Sequence, residues 1–242
     1  MPDSGKIAQA TPILKGGDLD PTEYDNYRGI SILTIISKCI KHCVNLQTTE
    51  YFESNNLLSD NQFGFRKNYS TTFLAQDLFD NIFDSKSKGN TPAIIFLDIK
   101  KAFDTVDHDI LIEKLKFYGV DGTVILWFKN YLEGRKQCTK LCGIKSTYLD
   151  IICGAPQGSV LGPLLFSIYI NDIVNACNLS KPYLFADDGA LMFDNICRKT
   201  YLNIQIEMLT IIKWLAVNKL SLNIDKTKII IFDNINYIFC QN

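Results

Sequence analysis

The sequence predicts an α+β fold in which an antiparallel sheet is backed by helices. Three observations carry this expectation. Helical periodicity comes in pairs or singly between short β-rich runs, in the order αα-β-αα-ββ-α-ββ-α-β, which suits segregated helices packed on a sheet. Several strand-like runs, such as Tyr183–Phe185 and Ala190–Phe193, are separated by only a few residues, enough for a hairpin but too few for a crossover helix. The chain of 242 residues, 47% hydrophobic and 21% charged, can bury a core as one large domain or two lobes.

Taken in order, the first thirty residues read as loop, because Pro12, Gly16-Gly17, Pro21 and Gly29 interrupt any regular pattern. Leu33, Ile36, Ile40, Cys43, Val44 and Gln47 then follow helical spacing, and that helix should end near Asn55-Asn56. A polar loop, Asn61–Lys67, leads to a second helix capped by Ser70 or Thr71 and stopped by Gly89, Asn90 and Pro92. The apolar strand Ala93–Ile99 follows. Two helices are expected over Asp109–Tyr118 and Asp121–Leu132, divided by Gly119, and Lys136–Ile152 alternates like a hairpin turning near Gly143. Gly154–Gly158 forms a compact loop before an apolar helix near Leu161–Val174, with Pro163 in its first turn. The Tyr183–Phe193 hairpin should turn at Asp187-Asp188-Gly189. A long helix, about Thr200–Val217, and a strand, Lys228–Phe232, complete the pattern.

The net charge of −1 gives no general attraction for nucleic acid, but its distribution is uneven. Lys129, Arg135, Lys136, Lys140 and Lys145 face only Glu133 in their stretch, and Lys219, Lys226 and Lys228 cluster late, so a basic groove around an acidic centre fits the balance. No apolar run has the length of a membrane span, and no leading stretch reads as a signal peptide. The eight cysteines are scattered through apolar contexts and suit reduced intracellular thiols. Cys39 and Cys43 with His42, or Cys138 with Cys142, lack the two-residue step usual for zinc.

The chemistry is expected at the acids. Asp98 ends one apolar run, and Asp187 and Asp188 end another. Buried carboxylates need cations or hydrogen bonds to offset lost hydration, so three arriving by two strands suit shared divalent metal and phosphoryl transfer.

Leu97–His108, Gly154–Phe166 and Phe185–Asp188 resemble three successive catalytic motifs of reverse transcriptases from non-LTR (LINE-like) retrotransposons. Asn26–Ser31, Asn61–Arg66 and Asn218–Asn223 resemble flanking blocks of that family in the expected order. The resemblance implies a right-hand polymerase palm with fingers, RNA-directed DNA synthesis, an RNA template, a DNA primer and dNTPs. It makes Asp98 and Asp187, with Asp188, the ligands of two Mg²⁺ ions, which Mn²⁺ can replace. Phe103 then stands beneath the incoming sugar, where its ring excludes a 2′-hydroxyl; Gln157 and Gly158 approach the template–nucleotide pair. Arg66, with Lys67 beside it, suits the triphosphate, Arg28 the template, and Lys226 or Lys228 protonation of pyrophosphate. Asp104, Asp107 and His108 read as caps or hydrogen-bond partners.

On this basis residues 1–92 are expected to form fingers, 93–108 the first catalytic strand of the palm, 109–152 a fingers–palm connection, 153–235 the rest of the palm and 236–242 a tail. The resemblance also leads us to expect a truncated protein without its thumb or endonuclease, acting inside the cell, in cytoplasm or nucleus, with no membrane partner. The rival readings are a catalytically silent nucleic-acid-binding remnant and a group II intron maturase-like protein.

Overall fold

The computed structural model describes residues 5–16, 19–32, 34–155, 158–233 and 237–240. Strands β1 (Ile7–Leu14) and β2 (Tyr27–Ile32) precede helices α1 (Ile35–Ser54) and α2 (Thr71–Ser87). Strand β3 (Ala93–Asp98) is followed by α3 (His108–Phe117), α4 (Gly122–Leu132) and the strands β4 (Arg135–Leu141), β5 (Ile144–Lys145) and β6 (Leu149–Ile151). Helix α5 (Leu161–Ile170), the hairpin β7 (Ser180–Phe185) and β8 (Asp188–Phe193), helix α6 (Arg198–Val217), β9 (Lys228–Phe232) and β10 (Tyr237–Cys240) complete the chain. Helix starts follow their caps: Ser70 Oγ accepts from Phe73 N at 3.1 Å, and an Asp107 carboxylate oxygen accepts from Ile110 N at 3.0 Å.

Two compact units interleave along the sequence: residues 1–55 with 103–168, and residues 56–102 with 169–242. They are therefore not coextensive with the consecutive spans expected from the sequence. In the first unit β1 pairs antiparallel with β2 and parallel with β4, while β5 and β6 pair with β4. The expected loop before residue 30 is thus two strands. Pro12 is tolerated because pairing to β4 ends at Ala10, leaving that side of β1 open where a proline has no N–H to give. The core of this unit includes the fully buried Phe52, Leu111, Leu115, Phe128 and Tyr131. Arg135 joins them, with no exposed surface, so it is not part of a basic groove.

The second unit carries a sheet in the order β10-β9-β3-β8-β7. Its pairings are all antiparallel, as expected. Residues 237–240, expected as tail, form β10 against β9. One face of the sheet presents Ile94, Ala190, Met192 and Tyr183, which pack with Leu78 and Ile82 of α2 and with Phe63. No described helix is long and apolar enough to cross a membrane.

Candidate active site

The acids meet in the second unit because of strand register. Asp98 is the last residue of β3 and lies directly opposite Asp188, the first residue of β8. Opposed residues on neighbouring antiparallel strands share a face, with Cβ atoms about 4.5–5.5 Å apart. Asp188 also pairs with Phe185, so the loop between β7 and β8 is only Ala186-Asp187. The expected turn at Asp187-Asp188-Gly189 is thereby displaced toward the N-terminus. Asp188 and Gly189 belong to the strand, and the positive φ of the tight turn falls on Ala186 (φ 59°). A non-glycine residue held there stores strain of about 1–2 kcal/mol. Asp98 and Asp187 are partly exposed and Asp188 is exposed.

Two neighbouring segments fix these positions. Asn223 donates from Nδ2 to Asp98 Oδ2 at 2.8 Å, and its backbone N–H bonds the Asp98 carbonyl at 2.7 Å. The turn is held from the other side by the loop after α1. There Phe63 N donates to Leu184 O at 2.7 Å, Leu184 N donates to Asn61 O at 2.8 Å, and the buried Gln62 accepts from Ala186 N at 3.3 Å. Neither Asn223 nor Gln62 stands out in the sequence as a site residue. Both lie in polar blocks, but nothing local links them to acids more than 120 positions away.

Among the lysines, Lys228 of β9 is opposite Phe96 of β3, two residues from Asp98 along the same face. Lys226 lies in a short 3₁₀ turn, Ile224–Lys226, and is exposed. Arg66 donates to the Ser59 carbonyl at 2.7 Å and stacks over the Tyr69 ring at 4.3 Å from its centroid, while Lys67 is exposed. The guanidinium thus helps to shape its own loop.

The remaining residues singled out belong to the first unit. Phe103 is half-buried against Phe166, with ring centroids 4.8 Å apart. Gly154 and Ala155 donate from their backbone N–H groups to Val106 O and Phe103 O, each at 2.7 Å. Gly154 (φ 90°) permits this: a Cβ there would lie 2.9 Å from the Asp104 carbonyl oxygen. His108 Nε2 lies 3.0 Å from the Gly154 carbonyl oxygen, a structural contact, as the sequence suggested. Gly29, Ser31, Asp104, Gln137 and Cys153 help to line a cavity of about 290 Å³. Arg28 is exposed on β2 and Gly158 is exposed; Gln157 lies outside the described residues.

No three metal-ligating side chains converge into a ready-made cage among the described residues. The donors present are nevertheless hard carboxylate oxygens, two on facing strands and one in the adjoining turn. Mg²⁺ keeps several waters and takes one or two carboxylates plus substrate phosphates, so this set fits it.

An antiparallel sheet that delivers carboxylates from a central strand and a tight hairpin to one end has the architecture of a polymerase palm. Residues 13–239 match the family described as reverse transcriptase (RNA-dependent DNA polymerase), and the chain belongs to that family. It is 32% identical over 244 residues to a probable RNA-directed DNA polymerase from transposon BS of Drosophila melanogaster, covering 94% of this chain and 26% of that protein. It is 30% identical over 204 residues to the RNA-directed DNA polymerase from mobile element jockey of Drosophila funebris, covering 81% and 22%. The chain therefore spans about a quarter of the length of the curated relatives it matches. Among solved structures, a telomerase from Candida tropicalis in complex with a fragment of telomeric RNA shares the fold, with a TM-score of 0.70 and 12% identity over 96% of this chain and 42% of that one. The family's chemistry relies on divalent metal ions.

Proposed function

We propose that this chain is the polymerase domain of a non-LTR retrotransposon protein, copying an RNA template by adding dNTPs to a DNA primer. The observation that carries the reading is the register that sets Asp98 opposite Asp188 with Asp187 in the adjoining turn. The second unit, with β3, β7 and β8, serves as the palm. Asp98 and Asp187 would hold two Mg²⁺ ions, with Asp188 as a further ligand or as support for the primer end. When bound, such ions acidify the primer 3′-hydroxyl, orient the triphosphate and offset charge on the leaving pyrophosphate.

In the reaction the primer 3′-hydroxyl gives up its proton to water, and its oxygen forms a bond to the α-phosphorus as the bond to pyrophosphate breaks. Lys228, on the acid-bearing face, supplies a proton to the leaving group. Arg66 and Lys67 contact the triphosphate and Arg28 the template, each as a cation matched to phosphate. Phe103 excludes the 2′-hydroxyl of a ribonucleotide, while Gln157 and Gly158 bear on the template–nucleotide pair.

Primer extension on poly(rA)–oligo(dT) with dTTP and Mg²⁺ or Mn²⁺ tests this. Incorporation should occur and should fall steeply in Asp98→Asn and Asp187→Asn, about a thousandfold if roughly 4 kcal/mol of transition-state stabilisation is lost. Nucleic-acid binding with no incorporation by the natural chain would make it a silent remnant of such a polymerase.

A further inference from the structure

One support of the acid-bearing turn comes from outside the acid-bearing motifs, at the Asn61–Gly64 loop. This loop lies along β7 as a short parallel bridge, Gln62 opposite Leu184, and ends against the Ala186-Asp187 turn. Gln62 is fully buried. Its Oε1 accepts from Gly64 N at 2.9 Å and from Ala186 N at 3.3 Å. Two backbone donors fix the amide orientation, because the flipped form would set an NH₂ against two N–H groups. Its Nε2 is left buried without a hydrogen-bond partner. An apolar side chain of similar size would avoid that penalty, so the amide must be useful through its oxygen.

Gly64 completes the contact. A Cβ at this position would lie 2.4 Å from Ala186 N and 3.0 Å from the Phe185 carbonyl carbon. Only a glycine lets the loop backbone approach the turn so closely. The turn itself needs outside support, since Ala186 is held at positive φ without being glycine. The next residue is Asp187.

We propose that Gln62 is a positioning residue for Asp187: with Gly64, it clamps the Ala186 peptide so that the Asp187 carboxylate is presented in one fixed direction. This rests on the reading of Asp187 as a metal ligand. Supports one step removed from a metal ligand typically change metal affinity or activity by about 10–100-fold when lost.

Gln62→Met keeps the length of the side chain and removes the acceptor. Hydrogen–deuterium exchange on the full chain, with peptides spanning residues 183–190, reads the clamp directly and needs no activity. The variant should exchange about tenfold faster in that segment, as for a lost protecting hydrogen bond, while peptides from α6 remain unchanged. In primer extension it should need about 10–100-fold more Mg²⁺ for half-maximal rate, with KM for dTTP at saturating Mg²⁺ close to that of the natural chain. A purely structural loss would lower the active fraction and leave the Mg²⁺ requirement where it was. Gly64→Ala pushes on the same peptide and should shift the Mg²⁺ requirement the same way, which covers the case in which Gln62→Met does not fold. Natural exchange in residues 183–190 of either folded variant would overturn the clamp. Absence of incorporation by the natural chain would overturn the polymerase reading instead and leave the exchange result to decide the clamp.

Discussion

Replacing Lys41 with methionine should make this protein more stable, because it removes a charge that the first unit buries against another of the same sign. Lys41, on α1, has no exposed surface, and its Nζ has no hydrogen-bond acceptor. Arg135, at the start of β4, is equally buried, and its Nε and Nη2 are also unpartnered. Both cations rest against the Tyr131 ring, at 5.5 and 5.2 Å from its centroid. Trp127 stacks on that ring at 5.4 Å. A desolvated cation–π contact returns about 2 kcal/mol, less than the several kcal/mol needed to strip an ammonium of water. Burial, with the Arg135 charge adding to it, holds the Lys41 ammonium down from 10.5 to about 8. Such a displacement corresponds to on the order of 3 kcal/mol of lost stability while the lysine is charged. The unfolded chain binds this proton more tightly, so the penalty is full below pH 8 and fades as pH rises toward 10.5. At pH 7, Lys41→Met should therefore raise Tm by roughly 6–12 °C for a domain of this size. Thermal unfolding followed by circular dichroism at pH 7, 8, 9 and 10 should show the gap between variant and natural chain closing with pH. A methionine variant that melts lower, or a gap that stays constant over that range, would refute the reasoning.

Two further outcomes follow from named contacts. Glu207 of α6, buried to 3% exposure, accepts from Asn178 N at 2.8 Å, Ser180 N at 3.0 Å, Leu179 N and the Ser180 hydroxyl; Glu207→Ala should cost about 3–5 kcal/mol by orphaning three backbone donors, seen as a Tm lower by roughly 10 °C with native-like far-ultraviolet dichroism, and an unchanged Tm would show that water replaces the carboxylate. If Phe103 is the sugar gate, Phe103→Val should raise incorporation of ribonucleotides relative to deoxynucleotides by on the order of ten- to a hundredfold, and an unchanged ratio in steady-state extension would reduce Phe103 to a packing partner of Phe166.

What was legible in the sequence is what is encoded locally. Helix starts were readable at Ser70 and Asp107 because a cap acts within three residues, and the acids were readable because they follow two apolar runs, Ala93–Leu97 and Tyr183–Ala186. Strands β1 and β2 were not, since Pro12 and the surrounding glycines look like breakers until β4, over 120 residues later, supplies the partner for β1. The hairpin turn was misplaced because Gly189 is the residue that most easily takes a positive φ. In the fold that duty falls on Ala186, whose peptide is held by Gln62 from a separate loop. Arg135 counted as a surface cation because arginines are rarely buried, and nothing in the residues around it marks this one as the exception.

The same division explains why the candidate site depends on register more than on the acids themselves. A slip of one residue between β3 and β8 would turn Asp98 to the face opposite Asp188 and exchange the two buried apolar sets that alternate along β3, each into space packed for the other. Several contacts resist that slip. Ile95 and Leu191 are opposed and buried on one face, Ile94 and Met192 on the other, and Leu97 is buried opposite Gly189. Lys100 N donates to Ser221 O, and Asn223 binds both the backbone and the carboxylate of Asp98. The two-residue turn leaves β7 and β8 no slack. Most of these contacts touch no carboxylate, yet each limits where one can point, so truncating the buried Leu97 should disturb the site without touching an acid.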